Sequence, residues 1–314
     1  MINIRHQPNF THFLAAAFLA GFVTVSPVLA SPPTRSDQPV SVFTYRAPES
    51  DSDHRYDYDT AALRLALEKT KREYGPYRLE PSPAMTFPRA ISAVSRNEYP
   101  NFFVKLSYEE EHVAQRNMTF AKFPVDLGIV GYRVCFTSTQ SKEKVKAAKS
   151  LDDLKKFSIG QGRGWADVEI LRHNGFQVVE ASNYESLFRM VANQRFDLFC
   201  RGTNELLDEY EAHRDIDNLT YDETFSIAYP LPRFFFTHQS NGKAAERITD
   251  GLLAAFRDGS LQALWRKNYW NSINFVRLDK RRIYWIENPL LKGLDFNYRQ
   301  YYFNPLADTK HQTP

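Results

Sequence analysis

Cysteine is scarce in this chain. There are two in 314 residues, Cys135 and Cys200, and neither stands in a catalytic or metal-ligand setting. The histidines are scattered, and no His/Cys/Asp group recurs at ligand spacing, so no metal is expected. Charge of one sign is lacking too: a formal +3 with dispersed Lys and Arg gives no basic stripe, which excludes nucleic acid as the expected partner. Beyond the N-terminus no apolar run approaches the roughly 20 residues that a spanning helix needs. No nucleophile or base–orienter pattern is present, so neither an enzyme nor a cofactor is expected.

What is there is an ordinary globular composition, 43% hydrophobic and 14% aromatic, at a length more natural for two lobes than for one core. The start of the chain reads as an export signal. Arg5 and His6 precede an apolar run from Phe13 to Val25, and Ser26-Pro27-Val28-Leu29-Ala30 supplies small or apolar residues around a cleavage site after Ala30. A membrane anchor is the alternative, but the run is short and Pro27 interrupts its end. No cysteine follows the cleavage site to carry a lipid, so the expected location is the periplasm.

Ser150 to Glu205 is the most informative stretch. Ser150 with Asp153 starts a short helix as a capping box, Phe157-Ser158-Ile159 is a brief strand, and Gly160-Gln161-Gly162-Arg163-Gly164 turns into a helix from Trp165 to His173. Gln177-Val178-Val179 makes a second strand, Ser182 with Glu185 caps a helix with Leu187, Phe188 and Val191 on one face, and Arg195–Cys200 is a third strand. The order is β-α-β-α-β. Its glycine-rich junction lets backbone approach a ligand and points a positive helix end at an anion.

The segments SLDDLKK, IGQGRGW and QRFDLF, in this order and spacing, resemble the distal lobe of the bacterial extracellular solute-binding proteins of family 3. These are type II periplasmic binding proteins that serve amino-acid ABC importers. The resemblance spans about Val40 to Trp270, and GYR, SLDDL, GQGRGWADVEIL and RFDLFCRG are similar to a recurring proteobacterial subgroup. It implies an α/β fold of two lobes, each a β-sheet flanked by helices, with two hinge crossings around a small-molecule ligand. The implied proximal lobe comprises residues 31–130 and 229–287, the distal lobe 131–228, and an aromatic-rich tail follows over 288–314. Gly128–Gly131 marks the first crossing. Ile227–Pro232, stiffened by prolines, marks the return.

The family's carboxylate-binding arginine maps by its distance from Gly131 to Arg116, although the accompanying threonine is missing and an ion pair with one of Glu109–Glu111 is the alternative. Arg163, Gly164 and Trp165 are placed at the ligand by the glycine-rich turn, with Trp165 either covering the ligand or joining the core. Arg201 stands near where amino-acid-binding members carry an acid for the ligand's ammonium, and this departure points to an anion without a free amine, with Glu205 one turn later as the alternative partner for an amine. The first strand ends at Tyr45, a candidate ligand contact, and the loop Arg46–Asp51 that follows borders the cleft. The implied partners are an ABC permease or a membrane sensor protein, with a dehydratase-like enzyme as a weaker alternative, and a monomer is expected. For Cys135 and Cys200 a disulfide and two buried thiols both remain open.

Overall fold

The computed structural model of the chain describes residues 39–49 and 53–307. The export segment Met1–Ala30 and the chain end from Asp308 lie outside the described residues. The first sheet is assembled from β1 (Ser41–Tyr45), β2 (Tyr77–Pro81), β3 (Phe102–Ser107) and β4 (Met118–Phe120), with α1 (Asp57–Tyr74), α2 (Phe87–Ser95) and α3 (Glu110–Ala114) between them. The second holds β5 (Tyr132–Ser138), β6 (Ser158–Gly162), β7 (Gln177–Ala181), β8 (Leu198–Gly202), β9 (Leu219–Tyr221) and β10 (Phe225–Ala228). Its helices are α4 (Lys142–Lys146), α5 (Leu151–Leu154), α6 (Ala166–His173), α7 (Tyr184–Ala192) and α8 (Leu206–Ala212). The chain then returns to the first sheet as β11 (Arg233–His238) and packs α9 (Gly242–Arg257) and α10 (Ser260–Val276) against it.

Both sheets are covered on their two faces, which is why their central strands are almost continuously apolar. Phe103 and Phe235 face the α1–α9–α10 side, while Phe102, Val104, Leu106, Phe234 and Phe236 face α2. In the second lobe Cys135 and Cys200 point to one face, and Val134, Phe136 and Phe199 to the other. The sheet orders are β2-β1-β3-β11-β4 and β12-β10-β5-β8-β6-β7, with β9 beside β5 and β12 being Arg282–Trp285.

That last strand differs from the sequence reading, which kept residues up to 287 with the proximal lobe. Arg282–Trp285 pairs in parallel with β10 in the second sheet, and the tail then crosses back. Phe296 and Tyr298 pack beside α2, and Phe303 packs on Trp265. The aromatic content of the tail announced burial, but nothing in it said which lobe it would join first. Two smaller differences are local. The cap of α7 is Asn183, not Ser182, because its side-chain oxygen reaches the Ser186 N–H at 2.9 Å. The third distal strand starts at Leu198, since Arg195 still hydrogen-bonds back to the helix at Met190.

Residues 121–131 and 229–232 link the two sheets side by side, with the Tyr229 N–H donating to the Gly131 carbonyl at 3.1 Å. The tail touches both links. Asn288 donates to the Pro230 carbonyl at 2.8 Å, the Phe303 N–H donates to that of Leu127 at 2.9 Å, and the Tyr302 ring lies on Gly128. Gly128 has φ +79°, and a Cβ there would meet the Tyr302 ring at 2.5 Å, so glycine is required twice over.

Cys135 and Cys200 face each other in register on β5 and β8 and form a disulfide, which resolves the choice left open by sequence. It closes a loop between residues 65 apart in sequence, for which loop entropy stabilises the fold by about 4 kcal/mol. Reduction, or the double change Cys135→Ala and Cys200→Ala, is expected to lower the denaturation midpoint accordingly; a midpoint unchanged by reductant refutes this. Gly128→Ala is expected to destabilise by about 1–3 kcal/mol. Tyr302→Ala in the same chain should recover part of that loss in a double-mutant cycle, whereas strict additivity would show that the ring does not press on Gly128.

Candidate functional site

Most of the charge in the molecule's interior lies between the lobes. Lys105, in the apolar strand β3, sits between Asp59 of α1 at 2.5 Å and Asp126 of the first link at 2.8 Å. Arg233, at the start of β11, lies 3.7 Å from Asp126 and reaches across to Glu205 of the other lobe at 3.3 Å. Glu205 in turn meets Arg201 at 3.2 Å and Arg133 at 3.6 Å. Arg201 is held further by Glu209 at 2.6 Å, and Arg133 by Asp167 and by the Tyr229 hydroxyl. Burial opposes ionisation of Glu205, but Arg201, Arg233 and Arg133 hold its carboxyl far below the usual range.

Several cavities border this network, one of them, of about 180 Å³, against Arg55, Lys105, Tyr184, Glu205 and Glu209, and two others share part of their lining. The inner one, about 90 Å³, lies between the lobes and is lined by Arg46, Arg55, Lys105, Arg201, Glu205 and Arg233 among others. It is walled on one side by the Arg55 guanidinium, which lies 4.0 Å over the Tyr184 ring of the opposite lobe, and by the Arg233–Glu205 pair. Toward α3 it passes Phe87, Glu109, His112, Trp165 and Ala166, residues that also line an outer groove of about 830 Å³.

At this junction stand two groups that sequence reasoning did not single out as a pair. Glu109 Oε1 and His112 Nε2 are 3.8 Å apart, and His112 Nδ1 is buried without a partner. Burial, followed by the charges of Glu111 and Glu169, pushes the Glu109 carboxyl up to about 7. Burial, followed by Arg116, brings the His112 imidazole down to about 4. Between these values the pair carries its proton on Glu109 and is uncharged.

The residues named from sequence fall as follows. Arg116 lies on the wall of the outer groove, one turn beyond His112, with both Nε and Nη2 on one oxygen of Glu111 at 3.1 and 2.8 Å. Its fork is thus already engaged. Arg163 and Gly164 are exposed on the same groove, and Trp165 lines both cavities while stacking on Phe199. Arg201 is buried beneath Trp165, its guanidinium 4.8 Å from the indole, and it is neutralised by Glu205 and Glu209. Tyr45 packs against the first-lobe core and lines neither cavity; its neighbour Arg46 does. The signal for the residues missed was a charge inside an apolar strand, Lys105 in FFVKLS, followed directly by Glu109 and His112 at helical spacing.

No family model and no curated protein matches this chain. Solved structures do. An ancestral arginine-binding protein bound to arginine aligns at 15% identity and TM-score 0.52, covering 73% of this chain and 98% of its own. A periplasmic His/Glu/Gln/Arg/opine family-binding protein from Silicibacter pomeroyi, in complex with lysine, aligns at 10% and 0.55, covering 73% and 97%. A histidine kinase sensor domain similar to periplasmic binding proteins aligns at 17% and 0.51, covering 74% and 97%. The fold is therefore that of the two-lobed periplasmic binding proteins, with about a quarter of this chain outside the match.

The Glu109–His112 pair has a pH signature. A raised carboxyl binds more protons folded than unfolded, so its contribution is full below about 4.5 and is lost as pH rises toward 7. A depressed imidazole contributes fully above about 6.5 and loses this as pH falls toward 4. The two slopes oppose each other in the wild type. Glu109→Gln should leave stability rising with pH between 4 and 6.5, and His112→Asn should leave it falling between 4.5 and 7, each by at most about 1.4 kcal/mol per pH unit. Unfolding free energies measured across this range check both signs; identical pH profiles for the two variants refute the assignment.

Proposed function

We propose that the chain is a periplasmic solute-binding protein that captures a small polar ligand bearing a carboxylate between its lobes and delivers it to an ABC-type importer. One observation carries this reading. Arg46 and Arg55 line the inner cavity, while Glu49 and Asp53, the acids that pair with them at 2.7 Å, lie outside its wall. Arg55 spends Nε and Nη2 on Asp53, whereas Arg46 uses only Nη2, for Glu49 and the Met85 carbonyl, and its Nε is buried without a partner, so Arg46 is the donor left to a ligand. A carboxylate is the group that such guanidinium forks receive best.

Trp165 and Ala166 bring the start of α6 to the same cavity, which adds a positive helix end. From sequence, a ligand lacking an amine was favoured because Arg201 stands where family members carry an acid; Asp59 and Glu205 do line the cavity, but Lys105 and three arginines already hold them. The reading assigns no reaction to the site. A second role, as the ligand-sensing input of a membrane signalling partner, is supported by the likeness to a histidine kinase sensor domain.

The test is a calorimetric screen of the exported chain against small mono- and dicarboxylates, amino acids, and their amide counterparts. Carboxylates are expected to bind and their amides to fail. Arg46→Gln should weaken binding roughly 10- to 100-fold, the worth of one charge-assisted hydrogen bond, with the melting transition retained. Binding of amides as tight as the acids would overturn the assignment.

A further inference from the structure

We propose that α10 and the tail after it brace the two lobes in the closed arrangement, with Arg233 on Glu205 and Arg55 on Tyr184, before any solute arrives. Release of the tail, rather than the solute, then sets when the lobes part. This goes beyond carboxylate capture and does not depend on which solute binds.

The first argument is the helix. α10 carries Leu261, Trp265, Tyr269 and Ile273 in the core of the first lobe, while Val276 at its end and Leu278 just after it lie in the core of the second. Ser272 fastens the crossing, since its buried hydroxyl donates to the Thr203 carbonyl at 2.6 Å and accepts the Leu207 N–H at 3.1 Å. Arg281 fixes the far end, with Nε on the Val276 carbonyl at 2.7 Å and Nη1 on the carbonyls of Asp222 and Phe225 at 2.7 and 3.0 Å. No glycine or proline interrupts Ser260–Val276, so the helix has no built-in place to bend. Rotation of one lobe against the other must therefore pull its last turn from one of the two cores.

The second argument is the route of the tail. After pairing with β10 as β12, it crosses back between Leu290, which packs on the second-lobe core, and Leu291, which packs on the first. The lobes are thus joined at four places, the two links, α10 and this return. Both links are also covered: Asn288 holds the Pro230 carbonyl, the Tyr302 ring lies on Gly128, and the Phe303 N–H holds the Leu127 carbonyl. A two-link hinge opens by rotating a few backbone angles, and these links cannot rotate freely while the tail lies on them. For a solute, closure then costs little, because the binding-competent arrangement is populated beforehand.

The experiment needs no solute. Small-angle scattering of the exported chain in plain buffer is expected to match the profile calculated from the closed structure. Asn288→Ala combined with Tyr302→Ala, which frees both links, is expected to raise the radius of gyration and to speed hydrogen exchange at the Tyr229 N–H roughly tenfold or more, with the melting transition retained. Leu187→Ala, a core truncation in α7 away from the links, should lower the melting temperature and leave the scattering profile as it is. Should the double variant fail to fold, Asn288→Ala alone is expected to speed that exchange roughly 2- to 10-fold, the contribution of one hydrogen bond. A wild-type chain more extended in plain buffer than the closed structure overturns the brace. So does wild-type scattering and exchange in the folded double variant, or wild-type exchange in Asn288→Ala where that variant stands in for it. Either result leaves carboxylate capture standing, because that reading is tested by the solute screen alone.

Discussion

Glu205 is the charge on which the interior of this protein depends. It sits just beyond β8, accepts the N–H of Gly202 at 2.8 Å, and faces three arginines, Arg133 and Arg201 from its own lobe and Arg233 from the other. An arginine buried without a carboxylate would carry a desolvation cost of several kcal/mol. The three are therefore tolerable together only because acids alternate with them through the whole array: Asp59, Lys105, Asp126, Arg233, Glu205, Arg201 and Glu209 follow one another, with Arg133 and Asp167 as a branch. Removing Glu205 would leave charges from both lobes uncompensated at once. In such an array the individual pairs add little net stability, and the alternation instead fixes where each side chain points.

The array also changes what the hinge can do. In a two-lobed binder with two links, opening needs only rotation of a few backbone angles. Here Arg233–Glu205 and Arg55–Tyr184 join the lobes directly, Ser272 of α10 donates to the Thr203 carbonyl at 2.6 Å, and the tail lies against both links. Opening must separate the first two contacts and either move or bend α10 and the tail. A closed arrangement supported by the protein's own contacts leaves less of closure for the ligand to drive, because a ligand shifts the balance only by its preference for one state.

How much of this was readable beforehand follows from which residues act locally. The Ser150 cap, the strand–turn–helix at Gly160–Ala166 and the apolar strands at Phe102–Leu106 and Phe234–Phe236 were legible, since caps, turns and periodicity are decided within a few residues. The route of the tail was not, because Tyr284 and Phe296 are equally apolar, yet one packs in the second lobe and the other in the first. Proximity to the cavities was legible as well. Four of the six residues named from sequence lie on the outer groove, and two, Trp165 and Arg201, line the inner cavity or both. Their roles were not legible, because role depends on partners: Arg201 looked like an unopposed cation until Glu205 and Glu209, four and eight residues on, folded back onto it.

The same dependence on partners accounts for the polarity of the cleft. Counting charges along the sequence treats every arginine as a donor awaiting an anion, but three of the arginines in this cleft are consumed by acids that also face inward. Arg46 and Arg55 differ because their acids, Glu49 and Asp53, come from the same loop and stand behind them. A guanidinium braced from the rear keeps its forward N–H groups oriented, whereas one paired head-on with an inward acid presents a neutral surface. Arg46 and Arg55 therefore bring cationic surface to the cavity from the stretch between β1 and α1, and the more conspicuous arginines at 201 and 233 supply its frame.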